Sequence, residues 1–315
     1  MVDKIAVYSF YRFIEIKNLN FKKNKFLKSL GKKNIKGTII ISSEGINASI
    51  SGIETDLKYA IKITRQILNI KKISLKINYI DFIPFYKFRV RIKNEIVSLG
   101  KKIINSKKNK NNFIDPSNWD SVVNNKDITL IDLRNSYEIE IGSFQGAINP
   151  NTNSFREFPK ALASLELKKD KKIAIFCTGG IRCEKASIYM KNNGYENVIQ
   201  LDGGILNYLS KTKNLKNKRK WFGDCFVFDN RVAVNSNLEK SNYLQCYGCR
   251  MPITKKDTLT NYYKKGIHCP KCYSKRSSEQ IRNSETRQRQ IDNAELKNLP
   301  HSFSKITLKD IIIRD

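Results

Sequence analysis

With two histidines in 315 residues, His268 and His301, the sequence is too poor in imidazole for an ordinary metal centre that activates oxygen. No two-histidine, one-carboxylate iron site can be placed. No glycine fingerprint for a flavin or nicotinamide cofactor is present either, so neither is expected. Long apolar runs are also missing, none approaching the ~18 residues that a membrane-spanning helix needs. The opening MVDKIAVYSFYRF lacks the charged-then-apolar layout of a secretion signal. The expectation is a cytoplasmic protein with no membrane partner. Acidic residues are scarce, 29 Asp+Glu against 59 Lys+Arg, which leaves a formal charge of +30. Such a surplus attracts polyanions, and RNA or DNA comes before a membrane because no basic amphipathic helix stands out. A biased composition in which Lys accumulates without selection for binding would give the same count. Nothing identifies a protein partner. The seven cysteines, an odd number in a chain without a secretion signal, favour thiol chemistry or metal binding over a disulfide framework.

The length suits two or three domains of roughly 100–150 residues each. Residues 1–100 read as strand (IAVYSFYRF), helix (LNFKKNKFLKSL), strand (GTIIISS), strand (NASISG), helix (TDLKYAIKITRQIL) and strand (SLKINYIDF). That β-α-β-β-α-β order is ferredoxin-like, as in acylphosphatases, and needs no active site to explain it. An alternating stretch, PFYKFRVRIKNEIVSLG, follows. The Lys/Asn run over 101–112 then forms a linker, since it has nothing to bury. Residues 113–212 alternate short apolar strands with helices, the pattern of an α/β domain whose parallel sheet is covered on both faces. Residues 213–315 form a C-terminal segment. It opens in a second basic stretch, 211–220, and holds WFGDCFVFDNR, four close cysteines and a polar tail that is helical at best. The two basic stretches, Lys101–Lys110 and Lys211–Arg219, are the expected phosphate contacts.

Within the second domain, Lys172–Phe176 reads as a buried strand delivering Cys177 into Thr178, Gly179, Gly180, Ile181 and Arg182, after which a helix begins. Two glycines let successive N–H groups turn inward, the helix N-terminus adds partial positive charge, and Arg182 adds a full one. Such settings lower a thiol from about 8.5 to about 3.5–7.5, so Cys177 is the candidate nucleophile. Cys183 is placed either to resolve an oxidised Cys177 or simply to pack the helix. Farther on, Cys246-x-x-Cys249 and Cys269-x-x-Cys272 are separated by nineteen residues, the spacing of a tetrahedral zinc ribbon. Four thiolates leave no position for a catalytic water, so a structural zinc is expected. Metal-free knuckles or a redox pair serving Cys177 are the alternatives, with His268 an outside candidate ligand.

CTGGIRCEKAS, residues 177–187, resembles the rhodanese active-site loop. Asp132-Leu-Arg134 followed by Glu138 and by Gly142-Ser-Phe-Gln-Gly-Ala147 is similar to the rhodanese strand and turn, and Leu201-Asp-Gly-Gly204 to its closing turn. On that pattern Asp132 and Arg134 support the loop. Where the family usually has His this chain has Ser143, a departure expected to weaken a turn contact more than the activity. Related phosphatases wrap a tetrahedral oxyanion in a loop one residue longer. The six residues from Cys177 to Arg182 instead resemble a loop sized for a persulfide sulfur. The three-part order, with EGINAS at 44–49, VRIKNEIVSLG at 90–100 and GDCFVFD at 223–229, is similar over nearly the whole chain to the rhodanese-related bacterial tRNA uridine hydroxylases. That resemblance implies oxygen-dependent conversion of uridine 34 of certain tRNAs to 5-hydroxyuridine. Molecular oxygen would be the co-substrate, the anticodon loop of tRNA the partner, and Cys177 essential. A Cys177 thiolate or persulfide adding to C6 of uracil would enrich C5 for reaction with oxygen. A sulfurtransferase carrying persulfide on Cys177, and a non-catalytic RNA-binding module, are the other readings.

Overall fold

The computed structural model describes residues 4–101, 112–214, 219–297, 299, 301 and 306–307. Of the two basic stretches expected to contact phosphate, 102–110 and 215–218 lie outside the described residues; in the described part Lys211 pairs with Asp115 at 2.6 Å and Arg219 donates to Thr212 O and Ser236 O. The first domain holds β1 (Ile5–Phe13), α1 (Leu19–Leu30), β2 (Lys36–Ser42), β3 (Gly45–Ile53), α2 (Glu54–Leu68), β4 (Lys76–Ile80), β5 (Phe82–Ile83) and β6 (Phe88–Ile92). This is the ferredoxin-like order that the sequence indicates. Its sheet runs β4-β1-β3-β2-β6, with β1 and β3 paired antiparallel from Ile5↔Ile53 to Phe13↔Gly45. The alternating FRVRI of β6 adds a fifth strand, parallel to β2. One face of the sheet buries Ile39, Ile41, Ala48 and Ile50 against Phe26, Leu30, Leu57 and Ile61 of the helices, leaving the other face free for a neighbour.

The second domain contains β7 (Asn112–Ile114), α3 (Trp119–Asn124), β8 (Ile128–Asp132), α4 (Ser136–Ile139), β9 (Gly142–Phe144), α5 (Phe158–Ser164), β10 (Lys172–Phe176), α6 (Ile181–Asn192), β11 (Val198–Leu201) and α7 (Gly204–Lys211). A parallel sheet, β7-β11-β10-β8, has β10 inside it, where a continuous apolar run belongs. Alternate residues of β10 serve opposite faces: Ala174 and Phe176 pack with Trp119, Tyr208 and Leu209, while Ile173 and Ile175 pack with Phe158, Leu162, Ala186 and Met190. Cys177 continues the second face.

Beyond it follow β12 (Trp221–Gly223), β13 (Cys225–Phe226), β14 (Ala233–Val234), β15 (Leu244–Gln245), β16 (Pro252–Ile253), α8 (Ser278–Leu296) and β17 (Ile306–Thr307), which pairs with β5. β12 pairs with β9, and Trp221, Cys225, Val227 and Val234 complete the core of the parallel sheet. The WFGDCFVF stretch thus packs with the α/β domain rather than with the cysteines. Trp221 finds its cover there, edge-on to Phe144 at 5.2 Å between centroids. The polar tail forms α8, started by a capping box between Ser277 and Gln280. Among the described residues no helix is long and apolar enough to cross a membrane.

Candidate active site

β10 ends at Phe176, and its continuation is held from below by the start of α7. Ile205 N donates to Cys177 O at 2.9 Å and Leu206 N to Thr178 O at 3.1 Å. A Cβ on Gly204 would come within 2.5–2.9 Å of Cys177 O and the Gly179 and Gly180 nitrogens, so only glycine permits this approach. Gly180, at φ 93°, turns its N–H onto Cys177 Sγ at 3.1 Å. Burial pushes the Cys177 thiol up, but hydrogen bonds from the Cys183 thiol and from the Cys183 and Gly180 N–H groups, with the Arg182 charge, outweigh it and bring the pKa to about 5. Cys183 moves the other way: burial and the neighbouring Cys177 hold it protonated, so it serves as a donor to the thiolate.

Arg182 does not stand over the thiol alone. Its guanidinium forms a two-point pair with Glu138, at 2.7 and 2.8 Å, and reaches Thr178 Oγ1 at 3.2 Å. Glu138 is fully buried and occupies the third position of α4, where it also accepts from Asn135 N at 3.0 Å in a capping box. Asp132 and Arg134 lie one layer farther out. They pair at 2.6 Å, and Arg134 donates to Glu138 O at 3.1 Å and Gly142 O at 2.6 Å. Ser143 Oγ donates to Asp132 at 2.8 Å, so a hydroxyl occupies the turn contact. The sequence shows Glu138 only as part of the strand-and-turn pattern and gives it no role, although its spacing from Asn135 carries a helix-start signature.

The first domain supplies a roof. Lys76, at the head of β4, donates from Nζ to Gly179 O at 2.6 Å and lies 5.2 Å above the Tyr11 ring. Tyr11, on β1, hydrogen-bonds Glu184 on α6, and its hydroxyl fills the space where a Gly180 Cβ would point, 3.0 Å away. Burial lowers the Lys76 ammonium pKa, opposed by Cys177, Asp202 and Glu184. No periodicity could have revealed these contacts, because they join sequence positions 103 apart in the Lys76–Gly179 case. Cys177 beneath them is 0% exposed. A second cross-domain clamp lies alongside. The buried Lys185 ammonium contacts both oxygens of Glu44 at 2.8 and 2.9 Å, Glu95, and Val97 O at 3.0 Å. Glu44 and Glu95 come from the EGINAS and KNEIVSLG stretches, so those motifs join the domains.

The four cysteines of the C-terminal segment converge, with Cys246–Cys272, Cys249–Cys269 and Cys269–Cys272 sulfurs 3.9, 3.8 and 3.8 Å apart. Four sulfurs at the zinc–sulfur distance of about 2.3 Å from a tetrahedral centre stand about 3.8 Å apart, so the set fits a metal ion. His268 points elsewhere, its Nδ1 2.8 Å from Tyr262 O. None of the seven cysteines is in a disulfide.

This combination of parallel sheet, thiol loop and preceding five-stranded sheet defines a rhodanese-like domain joined to an acylphosphatase-like one. Family models agree: residues 5–96 match the UPF0176 acylphosphatase like domain and residues 116–211 the rhodanese-like domain. The chain is 46% identical over 303 residues, 95% of its length and 98% of the relative's, to the tRNA uridine(34) hydroxylase of Pelagibacter ubique (strain HTCC1062). It therefore belongs to the tRNA uridine(34) hydroxylase family. Among solved structures, a rhodanese-related protein from Thermoplasma volcanium is similar at 24% identity, covering 32% of this chain and 92% of its own, with a TM-score of 0.26. A rhodanese-like domain protein from Staphylococcus aureus gives 22%, 31%, 90% and 0.27 in the same measures.

Proposed function

We propose that this protein is a cytoplasmic tRNA-modifying oxidoreductase that converts uridine 34 in the anticodon loop to 5-hydroxyuridine, with Cys177 as nucleophile and molecular oxygen as co-substrate. The observation that carries the chemistry is the loop geometry, in which Gly180 N donates to Cys177 Sγ at 3.1 Å beside the Arg182 charge, a setting that lowers the thiol pKa to about 5 and favours the thiolate at neutral pH. Family membership supplies the substrate, and the +30 charge suits a polyanion.

The Cys177 thiolate adds to C6 of the uracil, leaving an electron-rich C5 at which oxygen reacts; loss of the C5 proton then expels the thiolate from C6, restoring the C5–C6 double bond and the free Cys177. One oxygen atom enters the base and the other leaves as water, with two electrons and two protons drawn from an external reductant. Cys183 and the Gly180 N–H hold the thiolate in position before attack. Arg182, neutralised by Glu138, fixes the far side of the loop more than it confronts the substrate. A pyrimidine reaches such a thiol only by leaving the base stack, and anticodon-loop bases do so at modest cost. Because Cys177 is fully buried, the Lys76–Tyr11 roof must shift for the base to enter. Cys246, Cys249, Cys269 and Cys272 hold a structural zinc, which supplies folding energy to a segment with little core of its own. Asp132 and Arg134 act as bracing.

The test is mass spectrometry of tRNA nucleosides after incubation of purified protein with tRNA, oxygen and a reductant. Formation of 5-hydroxyuridine that depends on oxygen supports the assignment. Turnover of thiosulfate to thiocyanate without any change in tRNA would favour a sulfurtransferase instead.

A further inference from the structure

A cleft of about 410 Å³ lies outside the thiol site. It lies where three parts of the chain meet: the turn into β6 brings Lys87 and Arg89, the loop after β13 brings Phe228 and Asp229, and the Cys-rich segment with α8 brings Arg250 and Arg287. Four cations thus face one carboxylate, and Asp229 is already engaged by Arg231 at 2.6 and 2.8 Å. The crowding is visible on Arg287, whose pKa is lowered by burial and by the charges of Arg250 and Arg276. Within the same wall Phe228 leaves 65% of its surface exposed. Its ring stands edge-on to Phe226 at 5.2 Å and lies 5.9 Å from the Arg182 guanidinium, so the cleft is one aromatic ring away from the thiol loop.

We propose that this cleft is a single-stranded RNA subsite, in which a base stacks on Phe228 and the adjoining phosphates meet Lys87, Arg89, Arg250 and Arg287. An exposed ring beside a lining in which cations outnumber carboxylates is the arrangement that single-stranded nucleic acid uses, base on the aromatic face and backbone along the charges. An acidic peptide would satisfy the charges but give the ring no partner. The inference rests on the tRNA reading and locates a nucleotide next to the reacting one. Because the Phe228 ring lies between the cleft and Arg182, binding there would set the neighbouring base beside the thiol loop and couple recognition to entry of the target base.

The experiment measures the affinity of a fluorescent anticodon stem-loop RNA for the full chain at several salt concentrations, with wild type, Phe228→Ala, Phe228→Trp and the double variant Lys87→Ala/Arg89→Ala. Phe228→Ala is expected to weaken binding about tenfold with little change in salt dependence, and Phe228→Trp to restore it, since stacking carries that contribution. The double variant is expected to weaken binding by a comparable factor and flatten the slope of log affinity against log salt by roughly one to two. Melting temperatures establish that each variant is folded. If wild type binds the RNA and all variants match it in affinity and slope, the cleft is overturned while the tRNA reading stands. If wild type binds no RNA, both fall. Weakened variants in a protein that forms no 5-hydroxyuridine support the cleft and sink the hydroxylase. Competition by polyglutamate, with Phe228→Ala unchanged, would hand the cleft to a protein ligand and overturn the proposal.

Discussion

At the scale of single residues, the thiol loop combines opposite electrostatic choices a few ångströms apart. Cys177 is held as a thiolate and Cys183 as a thiol, and the difference comes from which sulfur receives the backbone N–H groups and which gives its proton. Alkylation of Cys177 should therefore follow thiolate population, level from about pH 6 upward and falling as pH drops through about 5. A midpoint near the ordinary 8.5 would show that the loop does not stabilise the anion. Cys177→Ser should abolish 5-hydroxyuridine formation while leaving the fold unchanged, because a serine hydroxyl stays protonated where the thiol does not. Glu138→Gln tests the buried pair behind the loop. It strands the Arg182 charge in a dry site, and loss of one partner of such a pair costs about 3–5 kcal/mol. Chemical denaturation that finds the variant as stable as wild type would contradict that role.

At the scale of elements, the strand-turn-helix around Cys177 is only half of the site, since β1 and β4 of the first domain close it. The roof is a small contact, one lysine and one tyrosine, and a fully buried thiol can react only as often as that contact opens. Removing the lysine with Lys76→Ala should accelerate iodoacetamide labelling of Cys177 severalfold at pH 7. An unchanged rate would show that access runs by another route. The Cys-rich element makes a second prediction. Purified protein should carry close to one zinc per chain, and chelation should expose the 244–296 region to protease while the parallel sheet keeps its protection. Metal-free protein with that region still resistant would refute the zinc.

At the scale of the whole molecule, Lys185 binds the two domains through Glu44 and Glu95 at a point just beyond the thiol loop. The lysine side chain is 3% exposed, so Lys185→Met leaves two carboxylates facing each other without a counter-charge. The expected result is a loss of several degrees in melting temperature, together with faster Cys177 alkylation as the domains separate. Stability equal to wild type would mean that the clamp contributes nothing net. RNA affinity as a whole should fall steeply with salt, as the excess of positive charge requires.

Legibility in the sequence divides along the range of the contacts. Apolar runs such as IAVYSFYRF and KIAIF, the helix periodicities, the glycines of TGGIR and the paired CxxC spacings are local, so the main strands and helices of the first two domains and the cysteine clusters could be read from the chain, while short strands such as β9 and β12–β17 could not. The sequence by itself determined that a thiol would stand at a strand-to-helix turn and that four cysteines could meet. It did not reveal that Tyr11 and Lys76 would cover that thiol, that Glu138 would neutralise Arg182, or that WFGDCFVF would complete the parallel-sheet core. Nor did it place Lys87, Arg89 and Phe228 in one cleft. Those outcomes depend on contacts between elements far apart in the chain, some within the α/β domain and some where the free face of the first sheet meets it. That packing is decided by tertiary burial of apolar and charged groups, for which spacing along the chain carries no signal.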